Sequence, residues 1–161
     1  MNEARRQNWG DWLPVALFLA GEVASKQARY KQAARMLTES EMLAEKQGMT
    51  ETLGCARRAL GRIYLSQGDS RRALANAHKS ITDFMSIGSP IEAGRAFLLE
   101  SFAHKQALDF DASSKAVKQA YDLFKAQGSL RSMAICHNQM GELYRMQGEL
   151  EKAESQYRDA L

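Results

Sequence analysis

Apolar and small residues recur along this chain at three- and four-residue spacing, and short polar turns interrupt them at regular intervals. That is the pattern of amphipathic helices joined by tight corners. The clearest copy is residues 60–73, LGRIYLSQGDSRRA. It reads as the end of one helix, a turn at Gln67-Gly68-Asp69 and the start of a second helix. Leu60, Gly61, Tyr64 and Ala73 fall at helical spacing on either side of that turn. The arrangement returns as MGELYRMQGELEKA at 140–153 and, more weakly, as AGEVASKQARYKQA at 20–33 and ESFAHKQALDFDAS at 100–113. Gly48, Gly88 and Gly128 lie forty residues apart; Gly21, Gly61 and Gly141 share one register, with Ser101 in the remaining place. A fixed period of this length means stacked units, each burying its apolar face only against its neighbours.

The expected architecture is therefore all-α: an α-solenoid of four helix-turn-helix repeats with about eight helices. The pattern predicts helices at 11–28, 31–47, 50–67, 70–87, 90–108, 111–127, 130–147 and 150–161. They form one domain of units 11–49, 50–89, 90–129 and 130–161, the last incomplete. Residues 1–10 are read as a polar lead-in, with Trp9 and Trp12 covering the open end of the first unit, since terminal repeats need caps. Gly48 suits a left-handed C-cap, Asp69 or Ser70 an N-cap, and Asp111 another where Asp109-Phe110-Asp111 replaces the glycine turn. Pro14 and Pro90 fall near predicted helix starts, where a missing N–H costs little. The last helix has no C-cap signal and leaves Tyr157 and Leu161 on an uncovered stripe. The expectation is a piece of a longer chain, or a homo-oligomer formed through the C-terminal repeat.

The Leu-Gly or Met-Gly pair, the Tyr three residues on, and the small residue twelve beyond the glycine resemble the tetratricopeptide repeat (TPR). Leu60, Gly61, Tyr64 and Ala73 carry the resemblance, as do Met140, Gly141, Tyr144 and Ala153. The first unit keeps Gly21 and Ala33 but has Ala24 in the tyrosine slot. The third departs most, with Ser101, His104 and Ser113. A forty-residue unit with a closing glycine is similar to the subclass in kinesin light chains, Pins-type adaptors and bacterial TPR regulators. The resemblance implies a right-handed superhelix whose first helices line a concave groove for a peptide or partner protein.

On those helices the flank opposite the Gly/Leu/Tyr side should face the groove. This flank carries Phe18, Glu22 and Lys26 in the first unit, and Arg58 and Arg62 in the second. Arg95, Leu98, Phe102 and Lys105 follow in the third, and Asn138, Glu142 and Arg145 in the fourth. Six of these twelve are cations and two are carboxylates, a surplus of four positive charges against +3 for the whole chain. Arginine suits bidentate carboxylate recognition, so the expected partner is an acidic or amphipathic protein segment. The set does not reproduce the Lys/Asn carboxylate clamp of chaperone-binding TPR domains.

Composition narrows the alternatives. A net charge of +3 is too small to imply nucleic acid by itself. Arg57, Arg58, Arg71 and Arg72 could touch phosphates, but no repeating base-reading pair accompanies them. Cys55 and Cys136 sit two repeats apart, about 20 Å at usual helix spacings. That is too far for a disulfide, so both are read as free thiols of a reducing, cytoplasmic compartment. Arg5 and Arg6 before the apolar run at 13–20 look a little like a signal peptide. Asp11 interrupts that pattern, the run aligns with first helices elsewhere, and it is far shorter than the ~20 residues of a membrane span. His78, His104 and His137 are scattered without ligand spacing, and no catalytic motif is present. The expectation is a binding scaffold without cofactor, metal or catalytic residues.

Overall fold

The structure, a computed structural model, describes the backbone of residues 3–161 and the side chains of residues 12–161. Among the described residues it is all α-helical. The helices are α1 (Glu3–Lys26), α2 (Tyr30–Gln47), α3 (Thr50–Ser66), α4 (Ser70–Ser86), α5 (Pro90–Gln106), α6 (Phe110–Ala126), α7 (Leu130–Met146) and α8 (Leu150–Asp159). Each odd helix pairs with the even helix that follows it, and each pair stacks on the next. In addition, α3 touches both α1 and α5, so these three form one wall. The arrangement is consistent with a helical solenoid. No helix among the described residues is long and apolar enough to cross a membrane.

The corners have a shorter period than the forty residues read from the sequence. One residue at every corner is left-handed, and these residues are twenty apart: Ala28, Gly48, Gly68, Gly88, Leu108, Gly128 and Gly148. The next N–H donates to the carbonyl five residues back, as in Asp69 to Tyr64 (2.9 Å) and Asp109 to His104 (3.0 Å). This bond closes a helix through a left-handed residue. Glycine adopts that conformation freely, whereas the side chains of Ala28 (φ 58°) and Leu108 (φ 62°) are forced into it. The α5–α6 corner keeps the standard geometry without the standard residue. Its N-cap is Asp109, not Asp111: Asp109 Oδ1 accepts from the Ala112 N–H at 3.1 Å. Asp69 does the same for Arg72 N–H at 2.9 Å, forty residues earlier.

The repeat slots are filled as their chemistry demands. At Gly61 an added Cβ would lie 2.5 Å from the Leu99 side chain, which would have to move to admit one. Ser101 holds that register in the third unit. Its hydroxyl lies 3.0 Å from the Ser113 hydroxyl, which donates to the Ser101 carbonyl at 2.9 Å. Both serines are buried, so a hydrogen-bonded pair replaces the Gly–Ala contact of the other units. Tyr64 and Tyr144 each lie beneath a cation from the following helix, Arg72 at 4.4 Å and Lys152 at 5.5 Å from the ring centroids. His104 takes the tyrosine slot in the third unit and sits 3.8 Å from both Glu100 and Asp109.

The N-terminal expectation changes. α1 begins at Glu3 and takes in residues 3–10, which the pattern assigned to a lead-in. Pro14 consequently lies inside α1 rather than near its start, and its carbonyl accepts from the buried Ser40 hydroxyl at 2.7 Å. Trp12 is 67% exposed. The side chain of Trp9 lies outside the described residues.

Candidate functional site

The wall of α1, α3 and α5 bears a trough. Its larger part is a cavity of about 620 Å³ between α3 and α5. Arg58, Arg62 and Arg95 supply its charge, and Leu65, Leu98, Leu99 and Phe102 its apolar floor. A second hollow of about 420 Å³ adjoins it on α1, lined by Glu22, Ser25, Lys26 and Tyr30. Arg62 and Ser66 line both. Gln106 crosses from α5 beside the trough: its Nε2 donates to the Leu65 carbonyl at 3.1 Å, and its Oε1 accepts from Ser70 at 2.8 Å.

Seven of the twelve sequence-selected residues thus line one surface: Glu22, Lys26, Arg58, Arg62, Arg95, Leu98 and Phe102. Lys105 lies beside them, 5.2 Å above the Phe102 ring. Phe18 packs instead against the core cluster of α1–α3, and Leu98, only 8% exposed, doubles as core between α5, α6 and α7. Asn138, Glu142 and Arg145 do not line the trough. Arg145 pairs with Glu142 at 2.8 Å, and that hydrogen bond holds the Glu142 carboxyl below its ordinary range. α7 adjoins α5 through the core cluster that holds Leu98 and Leu143, but none of its residues lines either hollow.

The cations of the trough are not bare. Arg62 pairs with Glu22 from α1. Glu92, which the sequence reading omitted, pairs with Arg95 and also with Arg58 at 2.6 Å. Counting Glu92, the set carries six cations against three carboxylates, so the surplus is three rather than four. The pairs differ in kind. Arg62 and Arg95 are about half exposed, and ion pairs of that sort contribute about 0–1 kcal/mol. An incoming carboxylate can displace them at little cost. Arg58 is only 12% exposed and lies 5.4 Å over the Phe84 ring as well as on Glu92. It ties α3 to α4 and α5 and shapes the trough more than it offers charge.

The other arginines considered as phosphate contacts are largely engaged within the protein. Arg57 points into the seam between the first two units. Its guanidinium meets Glu41 at 2.9 Å, Glu45 at 3.0 Å and both Asp83 oxygens at 2.9 Å. Burial works against the Arg57 charge, but its hydrogen bonds to Glu41 and Asp83 outweigh that and hold it more firmly protonated. The Asp83 pKa is raised as well, which for a carboxyl disfavours its charge. Burial, aided by Glu41 and Glu45, pushes its carboxyl above the ordinary range despite Arg57. Arginine is charged at any working pH, so the Asp83 shift is the consequential one: a single guanidinium is shared among three carboxylates. Arg71 and Arg72 are both exposed, but Arg72 is engaged by Asp69 and Tyr64. Both cysteines are free thiols. Among the described residues no three His, Cys, Asp or Glu side chains are placed to hold a metal ion.

No family model matches this chain, and no curated protein sequence matches it. Among solved structures it is similar to BtubC (BKLC) from P. vanneervenii, with a TM-score of 0.82 at 15% sequence identity. The match covers 94% of this chain and 63% of that one. At this identity the likeness concerns the fold alone.

Proposed function

We propose that this chain is a TPR-type interaction module, right-handed in its superhelix and without catalysis of its own, that binds an acidic or amphipathic segment of a partner protein along α1, α3 and α5. One observation carries the reading: the roughly 620 Å³ cavity where Arg62 and Arg95 stand over Leu65, Leu98 and Phe102. A segment alternating acidic and apolar residues satisfies both halves of that surface. Its carboxylates exchange with Glu22 and Glu92 for the two half-exposed arginines, and its apolar side chains cover the floor. The same module serves a larger regulatory protein and works in the cytoplasm.

The test is fluorescence anisotropy with a labelled extended peptide alternating Glu and Leu, against a counterpart with Lys in place of Glu. The acidic peptide is expected to bind preferentially, to weaken with added salt, and to lose about tenfold or more in affinity with Arg62→Glu/Arg95→Glu. Equal binding of the two peptides, or indifference to the double reversal, overturns the proposal. A second reading is self-association through the last unit, where Leu130 (77%) and Leu150 (67%) are exposed. Light scattering across concentrations tests it, and a monomer at the highest concentration removes it.

A further inference from the structure

Away from the trough, the seams between units place one pair of residues at the same position three times, forty residues apart: Glu41–Arg57, Ile81–Phe97 and Tyr121–His137. The first seam is filled by the Arg57 guanidinium and its carboxylates. In the third, the Tyr121 and His137 rings meet edge to face, centroids 5.2 Å apart at 75°. That contact leaves space beside it. A cavity of about 410 Å³ lies between α6 and α7, walled by Val117, Tyr121, Cys136 and Met140 and bordered by Gln156 of α8. It shares no lining residue with the trough.

The chemistry of this cavity is one-sided. Val117 and Cys136 are almost fully buried, and burial pushes the Cys136 thiol up to about 12. At neutral pH it is therefore an uncharged, unreactive part of the wall. Of its polar lining, His137 Nδ1 and Gln156 Oε1 are matched to each other at 3.1 Å, and Ser114 adds a hydroxyl at the edge. The charge sits at the mouth, where Lys115 and Lys118 are exposed and form no ion pair among the described residues. Lys115 also borders the neighbouring hollow around Glu100, whereas Lys118 belongs to this cavity alone.

We propose that this cavity is a binding site for a small amphiphilic acid, its alkyl or aryl body lying between α6 and α7 and its acid group at Lys115 and Lys118. The volume is within the range of small-molecule sites. An apolar body without a charge would leave the two ammonium groups unanswered, and a cationic head would be repelled by them.

Isothermal titration of the whole chain with alkyl carboxylates of increasing length, below their micelle concentrations, tests the assignment. Decanoate is the reference probe, with decanol and decyltrimethylammonium as head-group controls. Each added methylene should tighten binding about three- to fourfold until the cavity is full. Decanol and decyltrimethylammonium should bind at least about tenfold more weakly. Lys115→Glu/Lys118→Glu, a surface change that leaves the core intact, should cost about tenfold or more. Met140→Trp, checked for unaltered helicity, should abolish binding by filling the cavity. Absence of decanoate binding overturns the proposal. So does binding without chain-length dependence, or binding untouched by the lysine reversal.

Discussion

The seam between the first and second units and the seam between the third and fourth are built on the same positions of the repeat, yet one is closed and the other open. At the first, Arg57 reaches Glu41 on α2 and Asp83 on α4 and fills the space between three helices with a shared charge. At the last, His137 stands where Arg57 would be and meets only the edge of Tyr121 and the amide of Gln156. Both seams pack less closely than the one between α4 and α5, where Ile81 and Phe97 hold these positions. In a stack of repeats the backbone period sets where a contact can form. The side chains at that point decide whether it becomes a tie or a cavity.

The largest effect should come from breaking the closed seam. Arg57→Leu leaves Glu41, Glu45 and Asp83 facing one another without their cation. It is expected to cost about 2–4 kcal/mol in urea unfolding, between the surface and buried limits for ion pairs. His137→Leu at the open seam should change stability by less than about 1 kcal/mol, since it loses one ring contact and one hydrogen bond and gains apolar contact. Equal costs at the two positions would contradict the contrast.

Glycine packing offers the next comparison. A Cβ at Gly94 would lie 2.6 Å from the fully buried Phe124 ring, and one at Gly54 would lie 3.0 Å from Phe84, forty residues earlier. Gly94→Ala should cost about 1–3 kcal/mol by overpacking, and Gly54→Ala measurably less by the same unfolding assay. The corners come third. Leu108→Gly relieves a left-handed leucine that is 68% exposed and should stabilise the chain by about 0.5–1 kcal/mol. Gly68→Leu at the equivalent corner should destabilise it by a similar amount.

Much of this was legible in the sequence. The period of the glycines and the Gly-Tyr-Ala spacing placed α2–α8 to within two residues of their ends, because those residues are required by close helix approach and by the corners. The twenty-residue corner period was hidden where Ala28 and Leu108 stand in place of glycine, since nothing in those side chains signals a left-handed backbone. Asp109 was missed as a cap because Asp111 lay closer to the expected helix start. The trough was legible in composition but not in pairing. Glu92 sits on the same face one turn before Arg95, yet its contact with Arg58, thirty-four residues away, depends on how α3 and α5 stack. The Arg57 cluster was invisible for the same reason, its partners being twelve, sixteen and twenty-six residues distant.

The smallest effect is the pH dependence of the closed seam. Asp83 has a raised folded-state pKa, so its protonated form is favoured by folding. The stability it contributes is fully present below its ordinary value of 3.8 and is lost as pH rises through the raised value. Asp83→Asn should therefore shift the gap between the urea midpoints at pH 7 and below pH 3.8 towards greater stability at pH 7, by the part that Asp83 contributes to it. Leu123 occupies the same place in the third unit, and a Leu123→Met variant should leave that gap unchanged. An Asp83→Asn protein with the wild-type gap would show that the three carboxylates do not compete for Arg57.

The central claim, that a partner segment lies along α1, α3 and α5, is tested most directly by titrating the unlabelled Glu/Leu peptide into ¹⁵N-labelled protein and following backbone amide shifts. The account predicts saturable shifts concentrated at Glu22, Arg62, Leu65, Arg95 and Phe102, with α8 unmoved. Shifts confined to α6–α8, or spread evenly over the chain, would contradict it.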